Sequence, residues 1–192
     1  ASGRKRYEVK TPGIDRVVLS PDASRAMGYS YLDTTNPKLT FLNSKGKPFW
    51  NVTASGAVWS ADVCPTEYGS RFAAGTGDGR VYVMDIGRRR RSYRWWRAPG
   101  AVVSLNLDRA GEEVVLGTWQ KSMILRSDIA GRKLWQTDAD PAGRSYIQLL
   151  EATDRSFVRF EPNRRAGDGT FAVLDSRGSS IWQGKISATE KT

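Results

Sequence analysis

One eight-residue pattern recurs along the chain and constrains its fold more than any other feature. Asp128–Trp135 contains an Asp, a Gly three residues later and a Trp seven residues later, and Asn43–Trp50 and Asp175–Trp182 have the same form. A looser copy extends from Asp85 to Trp96, with arginines filling the extra length. The pattern indicates a turn that leads into a strand ending in Trp, and its recurrence indicates a repeat protein.

Each copy of the pattern follows an alternating apolar segment, which is typical of a strand. These segments are Lys38–Leu42, Arg80–Met84, Ser122–Leu125 and Thr170–Leu174. The openings Gly56–Val63 and Gly100–Leu107 also match each other directly. A strand, a turn and a strand ending in Trp, repeated about every 40 to 47 residues, predict a β-propeller.

We therefore predict an all-β fold: a β-propeller with four recognisable blades, each a four-stranded antiparallel sheet, and no helix. The blades occupy residues 7–186, in repeats at about 14–53, 56–98, 100–138 and 144–186. Residues 1–6 form a basic stub and residues 187–192 a polar tail. A fifth strand of the Trp type is predicted near Tyr7, so the four blades either close alone or form part of a larger propeller.

The repeat resembles a known family. The Asp-x-x-Gly-x-x-apolar-Trp pattern after a strand such as Val81–Met84 is similar to the pyrroloquinoline-quinone-type propeller repeat, in which the Trp docks between adjacent blades. The resemblance implies a structural docking role for Trp50, Trp96, Trp135 and Trp182. It also implies an extracytoplasmic location, periplasmic or at the cell surface. The quinone enzymes of the family have a longer chain, paired cysteines and bound calcium, so we expect a non-enzymatic member.

Composition excludes several kinds of chemistry. The chain of 192 residues has no His, which removes the usual general base and the commonest metal ligand. Its single cysteine, Cys64, allows neither an internal disulfide nor a Cys-based zinc site, and we expect it to be a buried bystander. The glycine-rich segment Gly75–Arg80 lacks the Lys-Ser/Thr ending of a phosphate loop and is predicted to be a hairpin turn. We predict no catalysis, no cofactor and no metal.

The formal net charge of +10 is concentrated in two segments. One is Arg4–Arg6, and the other is the turn region between residues 88 and 97, which has six arginines and no acid. Its candidate partner-binding residues are Arg88, Arg89, Arg90, Arg91, Tyr93 and Arg94. Arginines could neutralise phosphates of a nucleic acid or lipid while aromatic rings stack. Alternatively, the segment is an enlarged turn whose cations deter edge-to-edge pairing of an outer strand.

Trp119 breaks the repeat at a position where the second repeat has turn residues. An exposed Trp there would anchor a partner; otherwise it packs over the end of a blade. The first function hypothesis is a non-catalytic protein-interaction scaffold, a subunit or anchored domain of a larger assembly, with no small-molecule substrate identified from the sequence. The alternatives are a ligand-sensing domain of a membrane-anchored signalling protein, with Arg4–Arg6 beside an upstream anchor, and an anion-binding protein that uses the arginine-rich turn.

Overall fold

The chain folds into sixteen strands arranged as four antiparallel sheets. The computed structural model describes residues 13–119, 123–138, 143–150, 155–162 and 169–186. Blade 1 comprises β1 (Arg16–Leu19), β2 (Arg25–Tyr29), β3 (Lys38–Asn43) and β4 (Pro48–Thr53). Blade 2 comprises β5 (Val58–Thr66), β6 (Gly69–Thr76), β7 (Arg80–Gly87) and β8 (Arg91–Arg97). Blade 3 comprises β9 (Val102–Leu107), β10 (Glu113–Thr118), β11 (Met123–Asp128) and β12 (Lys133–Asp138). Blade 4 comprises β13 (Gly143–Leu150), β14 (Arg155–Pro162), β15 (Gly169–Leu174) and β16 (Ser180–Ile186).

Each blade pairs its four strands in chain order, and the described ranges contain no helix. The predicted architecture, four antiparallel sheets of four strands, is confirmed. The expected strand near Tyr7, the basic stub and the polar tail lie outside the described residues. The blades stack in the order of the chain, with the first strand of each beside the first strand of the next.

The spacing of Asp and Gly in the repeat has a local cause. The Asp128 carbonyl accepts the N–H of Gly131 at 3.0 Å, and its carboxylate accepts the N–H groups of Ala130 and Arg132 at 3.0 and 2.9 Å. Asn43 and Asp175 make the same bonds in their own turns. The Gly of each turn has positive φ, a conformation that glycine adopts readily: Gly46 73°, Gly131 89° and Gly178 81°.

The looser copy beginning at Asp85 behaves differently. Asp85 lies within β7, opposite Ser92, and its side chain contacts arginines instead of capping a turn. The hairpin continues two residues further and closes where the Gly87 N–H donates to the Arg90 carbonyl at 2.9 Å. The arginines therefore lengthen a regular hairpin.

Apolar side chains fill the space between successive blades. Between blades 1 and 2, the fully buried Phe41 meets the edge of Phe72 with ring centroids 5.3 Å apart. Between blades 2 and 3, Val81 and Val83 pack with the apolar face of β9. Between blades 3 and 4, the fully buried Ile124 belongs to the same cluster as residues of β14 and β15. The core of the protein is thus a series of layers between sheets.

The repeated tryptophans occupy different environments. A Cβ added to Gly131 would lie 2.5 Å from Cγ of Trp96, so Trp96 rests directly on the turn of blade 3. Trp135 rests in the same way on Gly178 of blade 4, where the corresponding distance is 2.6 Å. Trp50 instead stacks on Phe41 of its own blade, with centroids 4.9 Å apart. Trp182 is 54% exposed.

The contact of Trp135 with Gly178 should contribute strongly to stability. Trp135→Ala is expected to lower the free energy of unfolding by about 3 kcal/mol or more, because it removes the ring between two blades. Trp95→Ala is the matched control: Trp95 is 51% exposed and its main described contact is the Arg80 guanidinium 4.5 Å above the ring. That change should cost on the order of 1 kcal/mol. Urea denaturation followed by circular dichroism measures both values, and equal losses would contradict the assignment.

The single thiol should be unreactive in the folded chain. Cys64 is buried at the end of β5, and burial raises the pKa of its thiol to about 11. Because the thiolate is the reactive form, alkylation by iodoacetamide at pH 8 should be slowed roughly 100-fold or more relative to the chain unfolded in urea. Mass spectrometry of timed samples measures both rates. Rapid alkylation under native conditions would show that Cys64 is accessible.

Candidate functional site: an arginine-lined groove

A large groove lies between blades 1 and 2, at the end of the blades where three turns meet. The turns are β1–β2 with Arg25, β5–β6 with Tyr68, and the β7–β8 hairpin with the arginine-rich segment. The groove has a volume of about 1370 Å³. The lengthened β7–β8 hairpin supplies more of its lining residues than either of the other two turns.

Two arginines at the base of the groove hold the surrounding elements together. The Arg25 guanidinium of blade 1 donates to the carbonyls of Ile86 and Gly87 at the start of the hairpin. Arg71 on β6 donates to the Asp85 carboxylate at 2.5 Å and to the Gly111 carbonyl of blade 3 at 2.6 Å. These side chains tie three blades together, and the positive charge of Arg71 is balanced by Asp85.

Three of the six predicted partner-binding residues in this segment contact the protein itself. The Arg91 guanidinium donates to the Phe49 carbonyl at 2.9 Å and lies 4.9 Å from the centre of the Phe49 ring. The Tyr93 ring lies 6.3 Å from that of Trp50. Arg94 forms an ion pair with Asp85 at 3.6 Å. One side of β8 therefore covers the outer strand of blade 1, which places Arg91 and Tyr93 in an inter-blade contact.

The other three predicted residues, Arg88, Arg89 and Arg90, form the tip of the hairpin. All three are exposed and line the groove. Within the described part of the chain, no hydrogen bond or ion pair of their side chains is found. We call these three residues the arginine tip. Guanidinium groups present several N–H donors in a planar fork, so the arginine tip can accept carboxylates or phosphates.

Acidic side chains also line the groove and contribute negative charge to its electrostatic potential. Asp22 accepts a hydrogen bond from the Ser20 hydroxyl at 2.6 Å, and this bond, with others from Ser24, lowers the pKa of its carboxyl to about 2. Asp22 is therefore ionised at neutral pH. Glu67 lies on the β5–β6 turn of the same groove. The groove lining as a whole contains more arginines than acids, and its acids are Asp22, Glu67 and Asp85.

Trp119 lies at the opposite end of the blades, away from the arginine tip. It is half-buried, its backbone N–H donates to the Ala101 carbonyl at 2.8 Å, and its ring lies 5.5 Å from that of Trp59. Trp59 in turn lies 6.3 Å from Tyr31 of blade 1. Trp119 thus belongs to an aromatic row across three blades, and the structure does not bring it together with the arginine segment.

The sequence interpretation missed Trp59 and Tyr31, although a signal was present. Gly77 and Trp119 directly follow the second strand of their blades, whereas Tyr31 comes two residues after the end of β2. A Cβ on Gly77 would lie 2.8 Å from the Trp59 ring, so the glycine leaves room for the aromatic side chain. Aligning Gly77 with Trp119 would have shown a glycine in blade 2 at the position of a tryptophan in blade 3.

Other kinds of site receive little support from the described residues. They contain no group of three or more His, Cys, Asp or Glu side chains that could hold a metal ion. Nor do those residues include a helix that is long and apolar enough to cross a membrane.

Comparisons with known proteins support the fold. No protein-family model matches the chain, and no curated protein matches its sequence. Among solved structures, hydrazine synthase of Kuenenia stuttgartiensis aligns with a TM-score of 0.73 and 15% identity, covering 97% of this chain and 53% of that one. The Cps50 (Swd1) β-propeller domain of Myceliophteria thermophila aligns with a TM-score of 0.71 and 13% identity, covering 94% of this chain and 58% of that one. The chain spans little more than half the length of each. At these identities the likeness shows the fold alone: the chain is a β-propeller structure of four blades.

Proposed function

We propose that this chain is a non-catalytic protein-interaction scaffold whose groove between blades 1 and 2 binds an acidic segment of a partner protein. The observation that carries the proposal is the arginine tip, Arg88, Arg89 and Arg90, which borders the groove with no partner among the described side chains. The absence of His from the whole sequence and the buried, poorly ionised thiol of Cys64 support a binding role over a catalytic one.

The acidic side chains in the groove lining favour an acidic peptide over a nucleic acid as the partner. Asp22 and Glu67 would repel the continuous phosphates of a polynucleotide, whereas a peptide can place carboxylates beside the arginine tip and neutral residues beside these two acids. The aromatic rings of the segment are also engaged: Tyr93 contacts Trp50, and the Arg80 guanidinium covers Trp95. Base stacking would have to displace these contacts.

The proposal predicts a site-specific loss of binding. A labelled peptide of alternating Glu and Gly should bind the chain, and changing Arg88, Arg89 and Arg90 together to Ala should weaken it about tenfold, because each exposed charge pair is worth about 0.2–1 kcal/mol. The control variant changes Lys45, Lys133 and Arg177 together to Ala. These residues are exposed in the corresponding turns of blades 1 and 4 and, for Lys133, at the start of β12 directly after the turn of blade 3, so the net charge falls equally. Fluorescence anisotropy measures both affinities.

Three results would contradict the proposal. Equal weakening by both triple variants would mean that net charge alone attracts the peptide. Tighter binding of a single-stranded oligonucleotide of equal charge, lost with the arginine tip, would assign the groove to nucleic acid. Binding only to vesicles containing phosphatidylserine would assign it to a membrane surface.

A further inference from the structure

The lining of the groove contains one large apolar surface that is open to solvent, the ring of Tyr68. Tyr68 is 74% exposed, and it is the only aromatic residue among the described residues that line the groove. The other large apolar residue of this lining, Ile86, is 2% exposed. Within the described ranges, the Tyr68 ring neither contacts another ring nor lies under a guanidinium group. An exposed ring therefore accompanies the arginine tip in the same groove.

The β5–β6 turn does not need the Tyr68 side chain for its conformation. Thr66 pairs with Gly69, so Glu67 and Tyr68 are the two residues of the turn. The unusual backbone conformation belongs to Gly69, whose φ is 156°, and a Cβ at Gly69 would collide with the carbonyl oxygen of Ile86. Glycine thus provides both the positive φ and the close approach to β7. Neither of these features requires an aromatic ring at the preceding position.

Strand pairing places Tyr68 beside the arginine tip. Gly69 pairs with Gly87 in the antiparallel register of β6 and β7, and one position further outward the same register sets Tyr68 opposite Arg88. The two turns are close at this point, because a Cβ on Gly87 would lie 3.4 Å from the carbonyl oxygens of both Tyr68 and Arg90. Backbone pairing therefore holds the aromatic ring and the guanidinium groups on neighbouring turns, where one extended segment can contact both.

The charge beside Tyr68 restricts which residue of a partner can lie on its ring. Glu67, the other residue of the turn, is exposed and acidic, so a carboxylate at this turn would be repelled. A neutral residue is favoured there, and among neutral residues one with a large apolar side chain removes the most area from water against the ring. Tyrosine has only two side-chain torsions to restrict, so its ring forms such a contact at a low entropy cost.

We infer that the acidic segment bound in the groove carries a large apolar side chain next to its carboxylates, and that Tyr68 selects this side chain. The inference rests on the proposed function of the groove and specifies the partner further. Exposed ion pairs with the arginine tip contribute little each, so they distinguish poorly between one acidic segment and another. A tyrosine that packs against an apolar side chain is a typical anchor of a protein interface, and here it provides the discrimination that charge alone lacks.

Two labelled peptides test the inference by fluorescence anisotropy. One alternates Glu and Gly, and the other is identical except that its central Gly is replaced by Phe. The unchanged chain should bind the Phe peptide about tenfold more tightly, because the added ring is removed from water against Tyr68. Tyr68→Ser should abolish this difference and leave the affinity for the Glu–Gly peptide within about twofold of its original value, since the arginine tip is retained. Tyr68→Phe keeps the ring and should keep the difference.

Leu32→Ser is the matched control for general apolar attraction. Leu32 is 78% exposed but lies on the β2–β3 loop, at the other end of the blades from the groove, so this variant should also keep the difference. Circular dichroism checks that each variant folds.

The possible outcomes separate the inference from the function on which it rests. If both peptides bind the unchanged chain equally well, or if the advantage of the Phe peptide survives Tyr68→Ser, the inference is wrong while the acidic-segment site stands. Equal weakening of both peptides by Tyr68→Ser, or loss of the difference in Leu32→Ser, would also overturn it. Failure of both peptides to bind would contradict the proposed function itself, and the inference with it.

Discussion

The structure depends on the contact between a tryptophan of one blade and the glycine turn of the next. Trp96 rests on Gly131 and Trp135 on Gly178, at distances that leave no space for a Cβ. A four-stranded blade has two apolar faces and cannot bury either alone, so its stability comes from its neighbours. A ring that buries roughly 150 to 250 Å² between two sheets is the largest single contribution available to such a layer. Asp128 and Asp175 hold the turns in the conformation that receives it.

The junction between blades 1 and 2 lacks this contact of a tryptophan with a glycine turn, and the candidate site lies at that junction. The lengthened β7–β8 hairpin uses Arg91 and Tyr93 to cover Phe49 and Trp50, so the blades are joined without a glycine turn. The same lengthening carries the arginine tip outward and forms the wall of the groove. Strand β8 thus stabilises the junction through Arg91 and Tyr93, while the turn before it carries the exposed arginine tip. Departures from a local rule are where functional sites are expected.

Much of the fold could be predicted from the sequence because the repeat encodes local structure. Asp128 and Gly131 specify a turn through hydrogen bonds within five residues, and an alternating segment such as Arg80–Met84 specifies a strand wherever it occurs. The site could be predicted only in part. A run of arginines shows where positive charge is concentrated, but not which of the side chains will contact the protein itself. Arg91 donates a hydrogen bond to blade 1, whereas Arg88, three positions earlier, lines the groove.

The sequence by itself determined the repeat, the turns, the all-β class and the lack of histidine chemistry, since each follows from residues close together in the chain or from composition. Only the tertiary structure decided which side chains face a neighbour. In the folded chain the arginine tip is exposed, whereas Arg91 and Tyr93 contact blade 1. Trp119 lies in a row with Trp59, and Trp182 is exposed although Trp135 has the same place in the repeat. The physical reason is that the burial of a side chain depends on what packs against its face of the sheet, which residues close together in the chain do not specify.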